Sequence, residues 1–260
     1  MKKYLALLLA VLMVASLCAC GQKGTGSDLQ TVTKGKLIMS TNAEFAPYEY
    51  VADDGKGFQG TGYEGIDIEI AYALAQKLGL ELVVDNMDFD AALSAVQTGK
   101  SDMVAAGVTV TPDRLNAMSF TDSYANGVQV VIVKEGSDIK SIDDLQGKKI
   151  GTQRGTTGFL YCSDDFGDDN VIGFDDGATA VQNLKAGKID CVVIDNVPAQ
   201  EYVKANPGLT ILDTEYANED YAIGIAKDNT ALQEALNKAL AELKADGTIQ
   251  SIIDKYIPAK

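Results

Sequence analysis

The feature that most constrains the fold of this chain is the alternation of short apolar runs with amphipathic helical patterns. In one helical segment, apolar residues recur at helical spacing from Ile66 to Leu78, and Gly79 follows as a C-cap. Such alternation is typical of an α/β fold with mostly parallel sheets. The sequence predicts strands at 36–40, 80–84, 102–106, 128–133, 149–152, 191–194 and 221–226, and helices at 65–78, 90–97 (capped by Asp90), 141–145, 178–185, 198–205, 232–243 and 249–256.

One short segment recurs within this pattern. Gly99-Lys100-Ser101-Asp102 precedes an apolar strand that ends at Gly107, and Gly187-Lys188-Ile189-Asp190 precedes another that ends at Asp195. Each copy follows an amphipathic helix, so helix, glycine and strand all repeat, which favours two related α/β lobes. Gly107 and Asp195 then lie at matching strand ends, where open α/β sheets bind ligands.

The segment 105–114 has the sequence of a strand end followed at once by a helix start. Thr111 suits the N-cap, and Pro112 suits the first helical position. Arg114 then lies on the first turn, near unpaired backbone N–H groups, and Thr109 adds a hydroxyl. This combination suits a small carboxylate, although an ordinary capped helix with a solvated arginine has the same pattern.

A free amino acid carries a carboxylate and an ammonium group a few ångströms apart. Its site needs a cation with N–H donors for the first and a carboxylate with carbonyl acceptors for the second. Arg114 and Asp195 supply these charges from the two repeated units, and a cleft between them would exclude water and strengthen both ion pairs. Asp195 also suits the N-cap of a helix that begins near Pro198.

Composition excludes several classes of function. The chain has 22 basic and 37 acidic residues and a formal net charge of −15, which repels the phosphates of nucleic acids. It has no histidine, so Ser-His-Asp triads, Cys-His pairs and histidine metal sites are excluded, and we expect no cofactor and no metal. Cys191 lies in an apolar strand pattern typical of a buried free thiol, but a disulfide with Cys162 stays open.

The N-terminus has the pattern of an export signal. Lys2 and Lys3 precede an almost entirely apolar run, which ends in Leu17-Cys18-Ala19-Cys20 and resembles a bacterial lipobox. Residues 1–19 are therefore expected to be a lipoprotein signal peptide and residues 20–33 a lipidated Cys20 with a flexible tether. A retained transmembrane helix is the alternative, but the run is short for a span of about 20 residues.

Several motifs occur in a characteristic order: 41–50 (TNAEFAPYEY), 65–69 (GIDIE), 87–90 (MDFD), 107–114 (GVTVTPDR), 155–157 (GTT), 190–195 (DCVVID) and 246–248 (DGT). From Gly35 to Pro258 the chain resembles the amino-acid-binding proteins of bacterial ABC importers, the family 3 extracellular solute-binding proteins. The resemblance implies a two-lobe periplasmic-binding-protein-like fold with two hinge strands and a ligand cleft between the lobes. Lobe 1 would comprise 34–124 plus 223–260, lobe 2 would comprise 128–218, and the hinges would lie at about 124–128 and 218–223.

The resemblance also implies roles for the residues of the expected clamp. Arg114 would form a bidentate pair with the ligand carboxylate. Thr109 and the backbone N–H of Thr157, at the start of a predicted helix, would complete the carboxylate's shell. Asp195 and the backbone carbonyl of Gly107 would hold the ammonium group.

Other positions would contact the ligand side chain. Phe45 and Phe89 match apolar walls of the family's pocket, and Phe89 also suits plain core packing. Asn42, Glu44 and Gln153 are the candidates for specificity, and the two amides favour a polar ligand. Glu44 equally suits an ordinary exposed position.

The resemblance implies a monomeric, non-enzymatic protein that is lipid-anchored at the outer face of the bacterial cell membrane. It would pass its amino acid to an ABC importer permease and touch the membrane through its anchor only. One alternative is an enzyme like the cyclohexadienyl dehydratases, with Glu44 as the only obvious general acid, although Asp195 suits an ammonium clamp better. Another is a ligand sensor that acts with a separate signalling partner.

Overall fold

The computed structural model describes residues 29–258. The predicted signal peptide and Cys20 lie outside these residues. Within the described range, no helix combines the length and the apolar character that a membrane span requires.

Strands and helices alternate along the chain as the sequence predicts, with additional short strands. The strands are β1 (Lys36–Thr41), β2 (Glu44–Phe45), β3 (Glu49–Val51), β4 (Tyr63–Glu64), β5 (Glu81–Asn86), β6 (Met103–Val104), β7 (Met118–Phe120), β8 (Ala125–Lys134), β9 (Ile150–Gln153), β10 (Val171–Phe174), β11 (Cys191–Asp195), β12 (Leu209–Ile211), β13 (Ala217–Tyr221) and β14 (Gly224–Ala226). The helices are α1 (Ile66–Leu78), α2 (Phe89–Gln97), α3 (Pro112–Ala117), α4 (Thr157–Phe166), α5 (Gly177–Lys185), α6 (Asn196–Ala205), α7 (Thr230–Ala245) and α8 (Thr248–Tyr256). Short 3-10 turns lie at Phe58–Gly60, Ile142–Leu145 and Asp168–Asn170.

The first sheet has the strand order β5-β1-β6-β14-β7. Strands β5, β1 and β6 are parallel, whereas β14 runs antiparallel to both β6 and β7. Apolar side chains of β1 and α1, among them Leu37, Met39, Ile66 and Leu74, are buried in one cluster with α7 and α8. The C-terminal helices therefore complete the core of the first lobe.

The second sheet has the order β10-β9-β11-β8-β12, with β13 also paired to β8. Strands β10, β9 and β11 are parallel, but β8 is antiparallel to β11, β12 and β13. A third, small sheet of β2, β3 and β4 lies in residues 44–64 and was not predicted, because strands of two or three residues are too short to show a period.

The predicted strand at 221–226 is wrong as a single element. Its apolar run is divided between β13 of the second sheet and β14 of the first, and the chain passes between the sheets at residues 222–223. The chain also passes between them at 121–124, where the N–H of Tyr124 donates to the carbonyl of Tyr221 at 2.9 Å. Apolar periodicity cannot reveal this division because both halves are buried.

Two local predictions need correction or completion. Helix α2 begins at Phe89 with Asp88 in the N-cap position, so Asp90 lies within the first turn and is not the cap. Cys162 and Cys191 are free and buried in the same apolar cluster, and burial raises the pKa of the Cys162 thiol to about 12. Both thiols therefore act as small core side chains.

Candidate functional site

A cavity lies between the two large sheets and is lined by residues of both. It contains nine of the ten predicted site residues, all except Glu44. The lining residues are Asn42, Phe45, Glu49, Phe89, Ala106, Gly107, Thr109, Arg114, Gln129, Gln153, Thr156, Thr157, Val193, Ile194, Asp195, Glu219 and Tyr221.

Arg114 is held rigidly at one end of this cavity. Thr111 caps α3 by accepting the backbone N–H of Arg114, and the side chain of Arg114 is only 8% exposed. Its Nη1 donates to the carbonyl of Thr109 at 2.8 Å and its Nη2 to the carbonyl of Gly155 at 3.0 Å. The guanidinium also lies over the Phe89 ring, 5.5 Å from its centre. This arginine is therefore buried and oriented, which excludes the solvated alternative.

Two threonines from different lobes meet next to this guanidinium. The hydroxyls of Thr109 and Thr157 are 3.5 Å apart and buried. Thr157 begins α4, whose N-cap Thr156 accepts the N–H of Phe159. The N–H groups of a first helical turn have no acceptor within the helix and attract an anion.

Asp195 caps a helix as one of its two interpretations requires, and its contact with a ligand ammonium group stays a prediction. It ends β11 and caps α6, where its Oδ1 accepts the N–H of Val197 at 3.0 Å. Its Oδ2 accepts the N–H of Val128 and the hydroxyl of Tyr221, each at 2.9 Å. Burial raises the pKa of this carboxyl to about 6. The three hydrogen bonds lower the pKa, but their effect is smaller than that of burial.

Gly107 occupies a position that requires glycine. Its φ is +54°, and a Cβ there would lie 2.9 Å from Cε1 of Phe45. Its N–H donates to Oδ2 of Asp67 at 2.9 Å. The backbone is thereby fixed where the ring of Phe45 closes the cavity.

Amides from the two lobes join at another part of the cavity wall. Nε2 of Gln153 donates to Oδ1 of Asn42 at 2.9 Å and to the carbonyl of Asp175 at 3.1 Å. Nδ2 of Asn42 donates to the carbonyl of Met87 at 3.1 Å. Phe89 lines the cavity and also packs in the core, and its contact with a ligand side chain stays a prediction.

Glu44 does not line the cavity, and its contact with the ligand stays a prediction. On β2, Phe45 pairs with Glu49 and faces the cavity, so the preceding Glu44 lies on the opposite face of the strand and is exposed. Its backbone carbonyl instead accepts the hydroxyl of Tyr202 at 3.3 Å. The pKa of Glu44 is raised by partial burial, then by the nearby carboxylates of Asp176, Asp88 and Asp175.

Five polar lining residues were not predicted from the sequence: Glu49, Gln129, Thr156, Glu219 and Tyr221. Oε2 of Glu219 accepts from Nε2 of Gln129 at 2.9 Å, where β13 lies against β8. The sequence did contain one signal for Glu219, which is a charged residue within a strand pattern. A charged residue is rarely buried unless it is paired. Without the strand pairing, however, nothing in the sequence indicates which face is buried.

Two α/β lobes that enclose a cavity, with a buried arginine and a buried aspartate on its walls, define a solute-binding protein. The chain belongs to the bacterial extracellular solute-binding proteins, family 3, whose model matches residues 37–259. The expected α/β two-lobe fold and the family resemblance are confirmed.

Individual relatives extend over almost the whole chain. The arginine-binding extracellular protein ArtP of Bacillus subtilis (strain 168) is 34% identical over 266 residues, covering 98% of this chain and 98% of the relative. The L-cystine-binding protein TcyJ of Escherichia coli (strain K12) is 29% identical and covers 96% of this chain and 93% of the relative. Among solved structures, an ancestral arginine-binding protein bound to arginine has a TM-score of 0.78 at 41% identity, covering 86% of this chain and 99% of that one.

Proposed function

We propose that this protein captures a free L-amino acid outside the cytoplasm and delivers it to the permease of an ABC importer. The observation that carries the proposal is the placement of Arg114 and Asp195, buried and oppositely charged, in one cavity between two lobes. Arg114, Thr109 and the N–H of Thr157 would take the ligand carboxylate. Asp195 and the carbonyl of Gly107 would take the ammonium group.

The ligand's side chain would lie between Phe45 and Phe89, towards Asn42 and Gln153. Carboxylates gather just beyond this wall: Glu44 and Asp88 immediately precede the two phenylalanines, and Asp175 and Asp176 lie close enough to Glu44 to raise its pKa. A polar side chain with a cationic end would be attracted by this group. The names of the arginine-binding relatives support the same class of ligand.

The lobes would close around the ligand by bending where the chain passes between the sheets. We propose the boundaries 34–124 plus 223–260 for lobe 1 and 128–218 for lobe 2, with hinges at about 124–128 and 218–223. The division of β13 and β14 between the two sheets supports them. A ligand that contacts both lobes favours the closed state, which is the state that a permease would recognise.

We further propose that the mature protein is a monomer, tethered to the outer face of the membrane through a lipid on Cys20. The lipobox-like sequence supports this anchor. The protein would perform no chemistry, since its relatives are named as binding proteins and Glu44, the acid that a dehydratase would need, lies outside the cavity.

The experiment is a thermal-shift screen over the twenty amino acids, cystine and ornithine, followed by calorimetry with the stabilising compound. Arg114→Ala should weaken binding by about 100-fold or more, because the ligand carboxylate would lose its cation in a closed cavity. Arg154→Ala is the matched control, since Arg154 is exposed and pairs with Asp175 within lobe 2. Unchanged affinity in Arg114→Ala, or turnover of prephenate or arogenate by the wild-type protein, would refute the proposal.

A further inference from the structure

A second carboxyl group lines the cavity and has no role in the clamp described above. Glu49 on β3 is 1% exposed, and within the described part of the chain neither of its carboxyl oxygens has a hydrogen-bond partner. Asp67, in the first turn of α1, is equally buried. Its Oδ2 accepts the N–H of Gly107, and its Oδ1 has no partner among the described residues.

The surroundings of these two carboxyls contain acids and phenols. Asp67 faces Glu49, the hydroxyl of Tyr124 faces Asp67 from the crossing between the sheets, and Tyr48 lies near both carboxyls and near Asp195. The ion pairs of residues 29–258 involve other carboxylates, so neither member of this pair is neutralised by a lysine or an arginine.

Two ionised carboxylates cannot share such a position without a large cost. Burial would leave both charges without solvent, and their mutual repulsion would add to that cost. Accordingly, burial and then the charge of Asp67 raise the pKa of Glu49 well above its usual range, and burial raises the pKa of Asp67 to about 6. A proton held between the two groups would also supply the donor that their free oxygens lack.

We propose that Glu49 and Asp67 share one proton beside the ammonium site and release it to solvent when a cationic ligand group enters the cavity. The inference rests on the proposed amino-acid-binding function. The ligand's positive charge would stabilise the doubly ionised pair, so Glu49 would become a second anionic contact for the ligand. Asp67 would act as a positioning residue, because it holds the backbone N–H of Gly107. Ligand affinity would then rise with pH while the pair is being deprotonated.

The test is calorimetric titration with arginine at pH about 7.5, in buffers whose ionisation enthalpies differ, so that the dependence of heat on buffer gives the number of protons released. At this pH Asp195, with a pKa of about 6, is already ionised and contributes little. Wild-type protein should release protons on binding, and Glu49→Gln should lose most of that release. Glu201→Gln is the matched control, an exposed glutamate on α6 that pairs with Lys204 outside the cavity, and should release as many protons as the wild type.

Equal proton release in wild type and Glu49→Gln, or binding without any release, would overturn the inference and leave the proposed function standing. No heat with any amino acid would refute the proposed function instead. Infrared spectroscopy of the wild-type protein covers the case in which Glu49→Gln does not fold. The unliganded protein should show a protonated-carboxyl band that disappears on addition of arginine, and absence or persistence of that band contradicts the inference.

Discussion

At the scale of single residues, burial controls the chemistry of the cavity. Arg114 and Asp195 are each oriented by hydrogen bonds to other groups of the protein. This preorganisation reduces the entropy lost on binding. The same burial raises the pKa of both Asp67 and Asp195 to about 6 from 3.8.

These raised pKa values predict how stability depends on pH. Each carboxyl binds its proton more tightly in the folded state than in the unfolded state. The contribution to the free energy of unfolding is therefore full below about pH 4 and is lost as pH rises towards about 6. In denaturant titrations of unliganded protein over this range, Asp67→Asn should make this decline in the free energy of unfolding smaller by about 3 kcal/mol.

Asp144→Asn is the control for that series. Asp144 is an exposed capping acid whose pKa is lowered by hydrogen bonds from the N–H of Lys140 and from Ser141, so its contribution has the opposite sign. The decline should persist in this variant. If the free energy of unfolding of Asp67→Asn declined as much as that of the wild type, Asp67 would not titrate in this range.

At the scale of elements, β8 connects three strands of the second sheet with the ligand site. It pairs with β11, β12 and β13, and its residue Gly127 lies where these strands approach the cavity. A Cβ at Gly127 would lie 2.5 Å from the hydroxyl oxygen of Tyr221 and 2.7 Å from Oδ2 of Asp195. The hydrogen bond between these two side chains therefore depends on a glycine in the middle of the strand.

Gly127→Ala should weaken ligand binding by about tenfold or more, because a displaced Tyr221 would leave Asp195 with one fewer donor. Calorimetry with the stabilising amino acid measures the loss. Gly136→Ala places the same methyl group just after β8, where it would meet nothing within 4 Å, and strains only a φ of +77°. Gly136→Ala should lower stability without changing ligand affinity. Equal affinities in Gly127→Ala and Gly136→Ala would contradict the role of Gly127 in the hydrogen bond between Tyr221 and Asp195.

At the scale of the whole molecule, polar contacts join the lobes across the cavity. Gln153 bonds Asn42, Arg114 bonds the carbonyl of Gly155, and Tyr202 bonds the carbonyl of Glu44. These contacts form only when the lobes are close together. The lobes of this structure are therefore in direct polar contact around the cavity.

A double-mutant cycle tests whether the contact between Asn42 and Gln153 contributes to closure. Each alanine substitution alone should weaken ligand affinity. The double variant should lose about 1 kcal/mol less binding free energy than the two single variants together, because both single variants remove the same hydrogen bond. Asn42→Ala combined with Arg154→Ala is the control and should be additive, since Arg154 bonds Asp175 within its own lobe. Additivity in both cycles would mean that the amide pair does not act as a unit.

Local structure was largely predictable because short-range patterns determine it. The cap at Thr111, the C-cap at Gly79 and the helix beginning at Thr157 all follow from nearby residue types. The repeat that ends at Gly107 and Asp195 also pointed to two strand ends that the structure places on one cavity. Strand ends meet ligands in open α/β sheets, so part of the candidate site could be found without coordinates.

The sequence alone determined the alternating α/β elements, the two opposed charges and the absence of histidine chemistry. Tertiary structure alone decided that residues 221–226 divide between two sheets, that Glu44 faces outward, and that Glu49 and Asp67 are buried together. The physical reason is that periodicity reports only how residues alternate within one element. Which face of an element becomes buried depends on partners far away in the chain. The same partners decide whether two carboxyls such as those of Glu49 and Asp67 come together.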